Sequence, residues 1–351
     1  MTFPLYPFTK PGSPGRRTRL GCAVLTASLL LAGTVQAQGR PDLEGIWTNA
    51  SLTSLNRPRG VESLVVSPEQ ALEIAARTPI AGLEGGLDEA EATTDAPPPA
   101  AADDFGVRAY NNFWVDPGSN LALVKGEYRT SYVVDPPDGQ VPRLENPNYD
   151  FQRVSFGSRY ATGIGDARGP EAIPNAERCL LGFGNKAGPG MMGALYNNTY
   201  QFVQTDDYVM ILVEMVHDAR IIPIYDTPEE ARANRRPMAL EQWFGDSVGW
   251  YENDELVVET VNIHPQQMGQ SSVPITKSGR ITERFSRYSD NEIFYRFTVE
   301  DSNIYSQPWT AELSFYATED QLYEYACHEG NYAMPGILAG ARRLEMEAEG
   351  R

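Results

Sequence analysis

The sequence predicts a mainly β protein, in which antiparallel strands follow one another as a meander and close into a lipocalin-like barrel or a strongly curled sheet. The composition of 31 Gly, 26 Pro and 18 Tyr in 351 residues is typical of a turn-rich β protein. Short apolar runs separated by turn residues recur along the chain. Closing a barrel removes the exposed edges of so many strands, and a β-sandwich is the alternative. Long loops and one or two short helices complete the prediction.

The N-terminus resembles a secretory signal peptide over residues 1–37. Arg16, Arg17 and Arg19 form a positive region, and an apolar stretch too short for a membrane span follows them. Small residues before Ala37 are typical of a cleavage site. The arginine pair leaves a twin-arginine route open beside the general secretory route. We therefore expect a periplasmic or secreted protein.

The charge of the chain excludes some partners. The formal net charge is −18, and removal of residues 1–37 would change it to −22, because that segment carries four cations and no acid. Nucleic-acid binding needs clustered cations, so nucleic acid is not expected as a partner. No later stretch is apolar enough to predict a membrane span. The sequence gives no indication of the oligomeric state.

The segment 38–104 precedes the main domain. Gly45 and Trp47 mark a first strand, and Ser67 followed by Pro68 is typical of a helix N-terminus. The apolar face of this helix is predicted from Leu72 and its neighbours Ile74 and Ala75. The rest of the segment is an acidic, Pro- and Ala-rich stretch of low complexity.

The segment 105–345 is predicted to be the β domain, with 346–351 as a tail. Its hairpins are predicted from pairs of apolar runs that flank short turns. The predicted turns lie at 125–127, 206–207, 217–218, 253–254, 289–291 and 318–320. The last turn is followed by a predicted strand at 321–327.

Ionisable residues recur among apolar ones on the predicted strands. One interpretation is a solvated outer face, where acid–arginine pairs contribute little. The other is a cavity in which acids and histidines transfer protons. The candidates for this chemistry are Glu214, His217, Asp218, Arg220, Glu324 and His328. The candidates for ligand contacts are Arg296, Tyr305, Trp309 and Tyr323.

Motifs for cofactors and metals are weak. Gly245 to Gly249 matches the G-x-S-x-G pattern around Ser247, but a strand follows it, whereas a nucleophile elbow needs a helix there. No dinucleotide or phosphate-binding loop occurs, so no cofactor is predicted. The three histidines lack the spacing of metal ligands, and no metal is predicted.

Loss of the signal peptide would leave Cys179 and Cys327 as the cysteines of the chain. In an oxidising compartment two cysteines most simply form one disulfide. Two separate buried thiols are the alternative.

Several stretches resemble a large family of exported bacterial proteins of uncharacterised function. The resemblance covers roughly residues 105–345. It rests on the stretches 196–201, 211–222, 245–252, 256–260 and 325–332. It implies an exported protein of mainly β architecture, and it implies no activity. The early Gly45-x-Trp47 is also similar to the opening of lipocalin-like barrels.

These observations lead to two functional hypotheses. The first is a protein that binds a small, partly apolar ligand in a central cavity. The second is a cofactor-free lyase, isomerase or hydrolase that uses the same cavity, with Arg220 or Arg296 stabilising developing negative charge. The sequence leaves open whether the protein is an enzyme.

Overall fold

A computed structural model of the chain describes residues 39–78, 116–148, 167, 169–182, 184–264, 267, 271–329 and 331–350. The predicted signal peptide and the low-complexity stretch within 38–104 lie outside these residues.

The described chain forms thirteen strands. In chain order they are β1 (Gly45–Thr48), β2 (Val65–Val66), β3 (Leu123–Val124), β4 (Glu127–Arg129), β5 (Val133–Asp135), β6 (Thr199–Gln204), β7 (Tyr208–Val213), β8 (Ala219–Tyr225), β9 (Asp246–Glu252), β10 (Glu255–Val261), β11 (Arg280–Ser289), β12 (Glu292–Glu300) and β13 (Trp309–Ala317). Nine of them, β1 and β6 to β13, pair in sequence order, and β13 pairs with β1 to close a barrel. The predicted mainly β barrel is therefore confirmed.

One pairing departs from the predicted antiparallel meander. Strands β8 and β9 run parallel, with Ile224 opposite Gly249 and Tyr225 opposite Trp250. A tight turn cannot join parallel strands, because the chain must return to the end at which it started. The first helix of the chain, α1, spans Pro68–Ala75. Residues 226–245 make the return between β8 and β9, and they include the second helix, α2 (Pro228–Ala233). The fold is a mixed barrel.

The predicted turn chemistry is found where the hairpins are tight. Asn253 and Asp254 both have positive φ, at 53° and 60°, and join β9 to β10. Lys125 and Gly126, at 51° and 81°, join β3 to β4 in the same way. Two left-handed residues match the twist of the flanking strands, which is why Asn, Asp and Gly favour such turns.

The prediction of a strand at 321–327 is wrong, because these residues form no strand. The preceding strand β13 already has β12 on one edge and β5 and β1 on the other. The segment is held instead by the disulfide of Cys327 and by the N–H of Tyr323, which donates to Glu214. Glu324 and His328 therefore do not lie on a strand.

A small second sheet, in the order β2–β4–β3, lies beside the barrel with helix α1. Ser67 caps the helix by accepting from the N–H of Gln70, which confirms the predicted N-terminus. Ala71 and Ala75 are buried, whereas Leu72 is 57% exposed. The predicted apolar face was wrong at Leu72, because the helix packs through the neighbouring alanines.

The interior of the barrel is filled by aromatic and aliphatic side chains. On each strand alternate residues point inward. Among the rings, Phe285 and Tyr295 have centroids 4.7 Å apart, and Phe315 lies 5.0 Å from Tyr200. These side chains belong to one buried cluster that extends around the barrel wall. Burial of such large apolar side chains is the main stabilising contribution to the fold.

The predicted disulfide between Cys179 and Cys327 is confirmed, with Cα atoms 5.7 Å apart and 148 residues of sequence separation. It attaches the segment after β13 to the loop before β6. Asn331 supports the same contact by donating to the carbonyl of Glu177 at 2.8 Å. The chain then ends in helix α3 (Ala333–Ala348). None of the helices that the structure describes is long and apolar enough to cross a membrane.

Candidate functional site

A buried ion pair lies at one end of the barrel interior. Arg220 is the first inward-facing residue of β8, and Glu283 points inward from β11. Arg220 Nη1 lies 3.0 Å from Glu283 Oε1, and Nη2 lies 2.5 Å from Oε2. Both side chains are at most 1% exposed. Burial disfavours the charged guanidinium, but the carboxylate of Glu283 holds the pKa of Arg220 above its usual value.

Tyr295 extends this pair into a network. Its hydroxyl donates to Glu283 Oε1 at 2.6 Å and accepts from the N–H of Met191 at 2.9 Å. Burial raises the pKa of Tyr295 well above its usual value, and the neighbouring Glu283 carboxylate adds to the shift. The phenol therefore stays protonated. Arg220 Nε has no hydrogen-bond partner within the described chain.

A glycine-rich loop covers this end of the barrel. A Cβ at Gly188, whose φ is +81°, would lie 2.6 Å from Arg220 Nη1 and 2.8 Å from Met191 Cγ. Only glycine permits this backbone to approach the guanidinium so closely. The loop excludes water from the ion pair.

Two acids lie where β7 turns into β8. The turn is a single 3₁₀ turn, Met215–His217, with positive φ at Val216 and His217. Glu214 Oε1 accepts from the N–H of Tyr323 at 3.3 Å, and Asp218 Oδ2 accepts from the N–H of Gly182 at 2.8 Å. Burial raises the pKa of Asp218 to about 7 despite this hydrogen bond. Asp218 can therefore exchange a proton near neutral pH.

The raised pKa of Asp218 predicts a pH-dependent stability. The ordinary value is 3.8 and the folded value about 7, so between these pH values the unfolded chain ionises first and the free energy of unfolding falls as pH rises. Asp218→Asn removes this loss and keeps an acceptor for Gly182. We expect urea titrations to give equal stabilities at pH 4, and a variant more stable by about 2–4 kcal/mol at pH 8. If the difference in the free energy of unfolding between wild type and Asp218→Asn is the same at pH 4 and pH 8, the raised pKa of Asp218 is contradicted.

Lys186 is a second buried charge at this end of the barrel. Its ammonium group donates to the carbonyl of Asn197 at 2.9 Å and to Asn198 Oδ1. Burial lowers the pKa of Lys186 well below its usual value, although Glu214 and Asp116 oppose the shift. The hydrogen bonds fix the loop that precedes β6.

The structure separates the predicted acid–base residues. Glu214, Asp218 and Arg220 are buried at one end of the barrel, whereas His217 and His328 are exposed. The two histidines therefore do not enter the barrel interior, and Glu324 is exposed with them.

The predicted ligand-contact residues are dispersed as well. Tyr305 and Trp309 are buried, with ring centroids 5.6 Å apart, and Tyr305 donates to the carbonyl of Pro274 at 2.6 Å. They form a packed connection between β12 and β13. Arg296 lies on the outer face of β12 opposite Glu312, and Tyr323 is 57% exposed.

A cavity of about 270 Å³ lies where the barrel closes, and we call it the seam cavity. It is formed by the chain after β1, the chain before β3, strand β4, the residue before β5 and strand β13. Its lining residues are Asn49, Ala50, Ser51, Gly118, Ser119, Asn120, Leu121, Ala122, Leu123, Tyr128, Tyr132, Leu313, Ser314 and Tyr316.

Incomplete pairing along β13 creates the seam cavity. One edge of β13 pairs with β5 at residues 310–311 and with β1 at 316–317, and no described strand pairs with 313–315 on that edge. The N–H of Glu312 donates to the carbonyl of Tyr132 on this edge, whereas the N–H of Ala317 donates to the carbonyl of Asn291 on the opposite edge. Since backbone groups alternate along an antiparallel strand, the N–H and C=O of Ser314 face the seam.

The side-chain oxygen of Asn49 is sealed behind the cavity wall. Tyr200 donates its hydroxyl hydrogen to the carbonyl of Lys186 at 3.0 Å, so it accepts from Asn49 Nδ2 at 3.3 Å. This fixes the orientation of the amide. Asn49 Oδ1 is buried and has no hydrogen-bond partner in the described chain.

Close backbone contact gives the cavity its shape. Gly118 has φ +85°, and a Cβ there would lie 2.9 Å from the carbonyl carbon of Ala50 and the nitrogen of Ser51. Tyr132 and Ser51 share a hydrogen bond of 2.8 Å between their hydroxyls, and Tyr316 donates to the carbonyl of Leu123 at 2.7 Å. These contacts hold the two sides of the cavity in place.

Neither the buried network around Glu283 nor the seam cavity was predicted in full from the sequence. Glu283 has a signal in the sequence, because it shares the inward parity of Ile281 and Phe285. Tyr295 has no signal, since its neighbours of the same parity are also large and apolar. The seam cavity depends on which strands meet β13, and no local pattern encodes that. Among the described residues, no group of three or more His, Cys, Asp or Glu side chains is arranged to hold a metal ion.

Comparisons of the chain with models of protein families, with curated proteins and with solved structures found no match. The resemblance to exported bacterial proteins therefore stays a prediction.

Proposed function

We propose that the protein is exported and binds a small, partly apolar molecule in the seam cavity. The observation that carries this proposal is the cavity wall itself, which combines the rings of Tyr128, Tyr132 and Tyr316 with the backbone of Ser314, which no described strand pairs on that edge. Ligand sites are concave and mostly apolar, with a few placed polar groups that fix orientation.

The proposal moves the ligand from the barrel axis to its seam. The inward-facing side chains pack against one another, and Glu283 at the end of the barrel bonds both Arg220 and Tyr295. The seam, by contrast, combines open volume with the backbone of Ser314, which no described strand pairs on that edge.

Export is supported by the disulfide. The Cys179–Cys327 bond is of the kind that persists in oxidising compartments such as the periplasm or the extracellular space. The signal-like segment 1–37 is consistent with that location.

Native mass spectrometry of protein purified from its own compartment tests the proposal. Ser119 is exposed at the rim of the seam cavity, so Ser119→Trp places an indole there without disturbing the core. We expect a bound small molecule on the wild-type protein and its loss from this variant, with at least a tenfold lower occupancy.

Ser302→Trp is the matched control, because Ser302 is exposed in a turn and does not line the cavity. It should retain the molecule. Equal occupancy in the two variants, or no bound molecule on the wild type, would refute the proposal.

A cofactor-free enzyme is the second candidate, and Asp218 is the observation that favours it. A carboxyl group with a pKa of about 7, two residues from the buried Arg220–Glu283 pair, suits general acid–base catalysis. The molecule found by mass spectrometry would then be converted by the wild type and not by Asp218→Asn. Conversion at the same rate by both would remove this candidate.

A further inference from the structure

We infer that the seam cavity binds a short peptide-like ligand, in which one uncharged amino-acid residue with an amide on each side pairs with the backbone of Ser314. This inference rests on the proposed function and specifies the chemical class of the ligand. It follows from the stretch of β13 that lacks a partner strand, from the two ends of that stretch and from the side chains around it.

One residue of this stretch directs its backbone groups at the seam. Because these groups alternate along an antiparallel strand, Leu313 and Phe315 bond towards β12, whereas Ser314 faces the edge that no described strand pairs. Ser314 lines the seam cavity, and its hydroxyl is directed away to Glu292 at 2.6 Å. A ligand in the cavity therefore meets the N–H donor and the C=O acceptor of the same residue side by side.

An amino-acid residue in the extended conformation complements these two groups. In an antiparallel sheet, two opposite residues of a hydrogen-bonded pair each donate an N–H to the carbonyl of the other. A ligand residue opposite Ser314 donates the N–H of the amide that precedes it and accepts with the carbonyl of the amide that follows it. Proteins that bind peptides by adding a strand to a sheet edge use the same pairing.

The two ends of the gap limit how far such a ligand can extend along β13. On one side the carbonyl of Tyr132 accepts from the N–H of Glu312, and on the other Thr48 lies opposite Tyr316. Glu312 and Tyr316 are four steps apart along the strand, which corresponds to about 14 Å. One residue with its two amides extends over two steps, or about 7 Å, whereas a strand of five residues would collide with the chain at both ends.

The side chain of the ligand residue lies on the outer face of the barrel. Leu313 and Phe315 belong to the barrel core, so Ser314 and Tyr316 point outward, and opposite residues of a sheet direct their side chains to the same face. Among the described residues that line the cavity, none is Asp, Glu, Lys, Arg or His. The carboxylate of Glu292, buried behind Ser314, would repel an anion. Since burying a charge without a partner is costly, an apolar side chain is favoured.

Calorimetric titration of the full chain with N-acetyl-leucine methylamide and two derivatives tests the pairing. The derivatives are isomers that differ only in which amide nitrogen carries an added methyl group. In N-acetyl-N-methyl-leucine methylamide the methyl replaces the N–H that faces Ser314, so we expect about tenfold weaker binding than for the parent probe. In N-acetyl-leucine dimethylamide it replaces the N–H that points away from β13, so the affinity should stay within about threefold of the parent.

Two further probes test the charge and the length of the ligand. N-acetyl-aspartate methylamide has a branched side chain of similar size with a negative charge, and we expect it to bind about tenfold more weakly than the leucine probe. A pentapeptide with leucine between two alanines on each side should bind no more tightly than the parent probe. No saturable binding of the parent, equal affinity of the two isomers, or tighter binding of the aspartate probe or the pentapeptide would overturn the inference.

Nuclear magnetic resonance of the amide protons locates the bound probe. When the parent probe saturates the protein, the amide proton of Ser314 should move downfield and exchange more slowly with solvent, because it gains a hydrogen-bond acceptor. Ser119→Trp, which fills the rim of the seam cavity, should abolish both changes, and Ser302→Trp should preserve them. A bound probe that leaves the amide proton of Ser314 unchanged would contradict the pairing.

Failure of the inference is distinguishable from failure of the proposed function. If the wild-type protein carries a molecule that Ser119→Trp loses, and that molecule has no amide, the function stands and the ligand class is wrong. If the protein carries no molecule and binds none of the probes, the proposed function and the ligand class are both refuted.

Discussion

Glu283→Gln is expected to lower the free energy of unfolding by about 3–5 kcal/mol, because it leaves the Arg220 guanidinium charged and unpaired inside the barrel. The wild-type carboxylate makes a bidentate pair with Arg220 and accepts from Tyr295. An amide keeps an acceptor for Tyr295, but it removes the charge and replaces one of the two oxygens that accept from Arg220 by an NH2 group. Urea unfolding followed by tryptophan fluorescence measures the difference.

The double variant Arg220→Met, Glu283→Gln separates the charge from the packing. With neither charge of the pair left, we expect it to be more stable than Glu283→Gln alone. As a surface control, Glu347→Gln removes the partner of Arg343 on helix α3, where both side chains are more than half exposed. That change should cost less than about 1 kcal/mol. A cost for Glu283→Gln as small as that of the control would contradict the assignment of a buried charge pair.

Removal of the disulfide should have an effect of similar size. On the chain-entropy model, a bond that closes a loop of 148 residues stabilises the fold by about 5 kcal/mol. The double variant Cys179→Ser, Cys327→Ser should therefore unfold at a much lower urea concentration. The wild type should behave like the variant once a reductant is added, and the reductant should leave the variant unchanged. If the wild type unfolds at the same urea concentration with and without reductant, even when the reductant is added to the unfolded chain, the prediction is contradicted.

The disulfide also bears on the acids at the end of the barrel. It anchors the segment from which the N–H of Tyr323 reaches Glu214, and the neighbouring loop supplies the N–H of Gly182 to Asp218. The serine variant should therefore lose protection of these amides against hydrogen exchange before the strands of the barrel do.

The sequence predicted the parts of the fold that depend on local chemistry. Asn253 and Asp254 adopt the left-handed turn that their side chains tolerate, and Ser67 caps the helix that follows it. Cys179 and Cys327 pair as expected. Each of these features is determined by a few neighbouring residues or by a simple count.

Features that depend on which strands become neighbours were not predictable in this way. The parallel pairing of β8 with β9 follows from the path of residues 226–245 across the barrel. Residues 321–327 form no strand and are attached through Cys327 to the loop before β6, a contact that the local pattern of the segment does not encode.

The candidate site was predicted in part for the same reason. Arg220, Asp218 and Glu214 are buried at one end of the barrel, but the exposed His217 and His328 do not join them. His217 lies between the buried Val216 and Asp218 and is exposed, which the alternation of a straight strand does not predict, because a 3₁₀ turn replaces the strand there. The seam cavity combines residues from five parts of the chain, and it becomes visible only when the barrel is closed.

A crystal structure of the protein, purified from its own compartment without removal of bound molecules, tests the central claim most directly. The account predicts electron density for one small molecule in the seam cavity, in contact with Tyr128, Tyr132 and Tyr316. Density for a bound molecule along the barrel axis or beside Asp218, with the seam cavity occupied only by water, would contradict it.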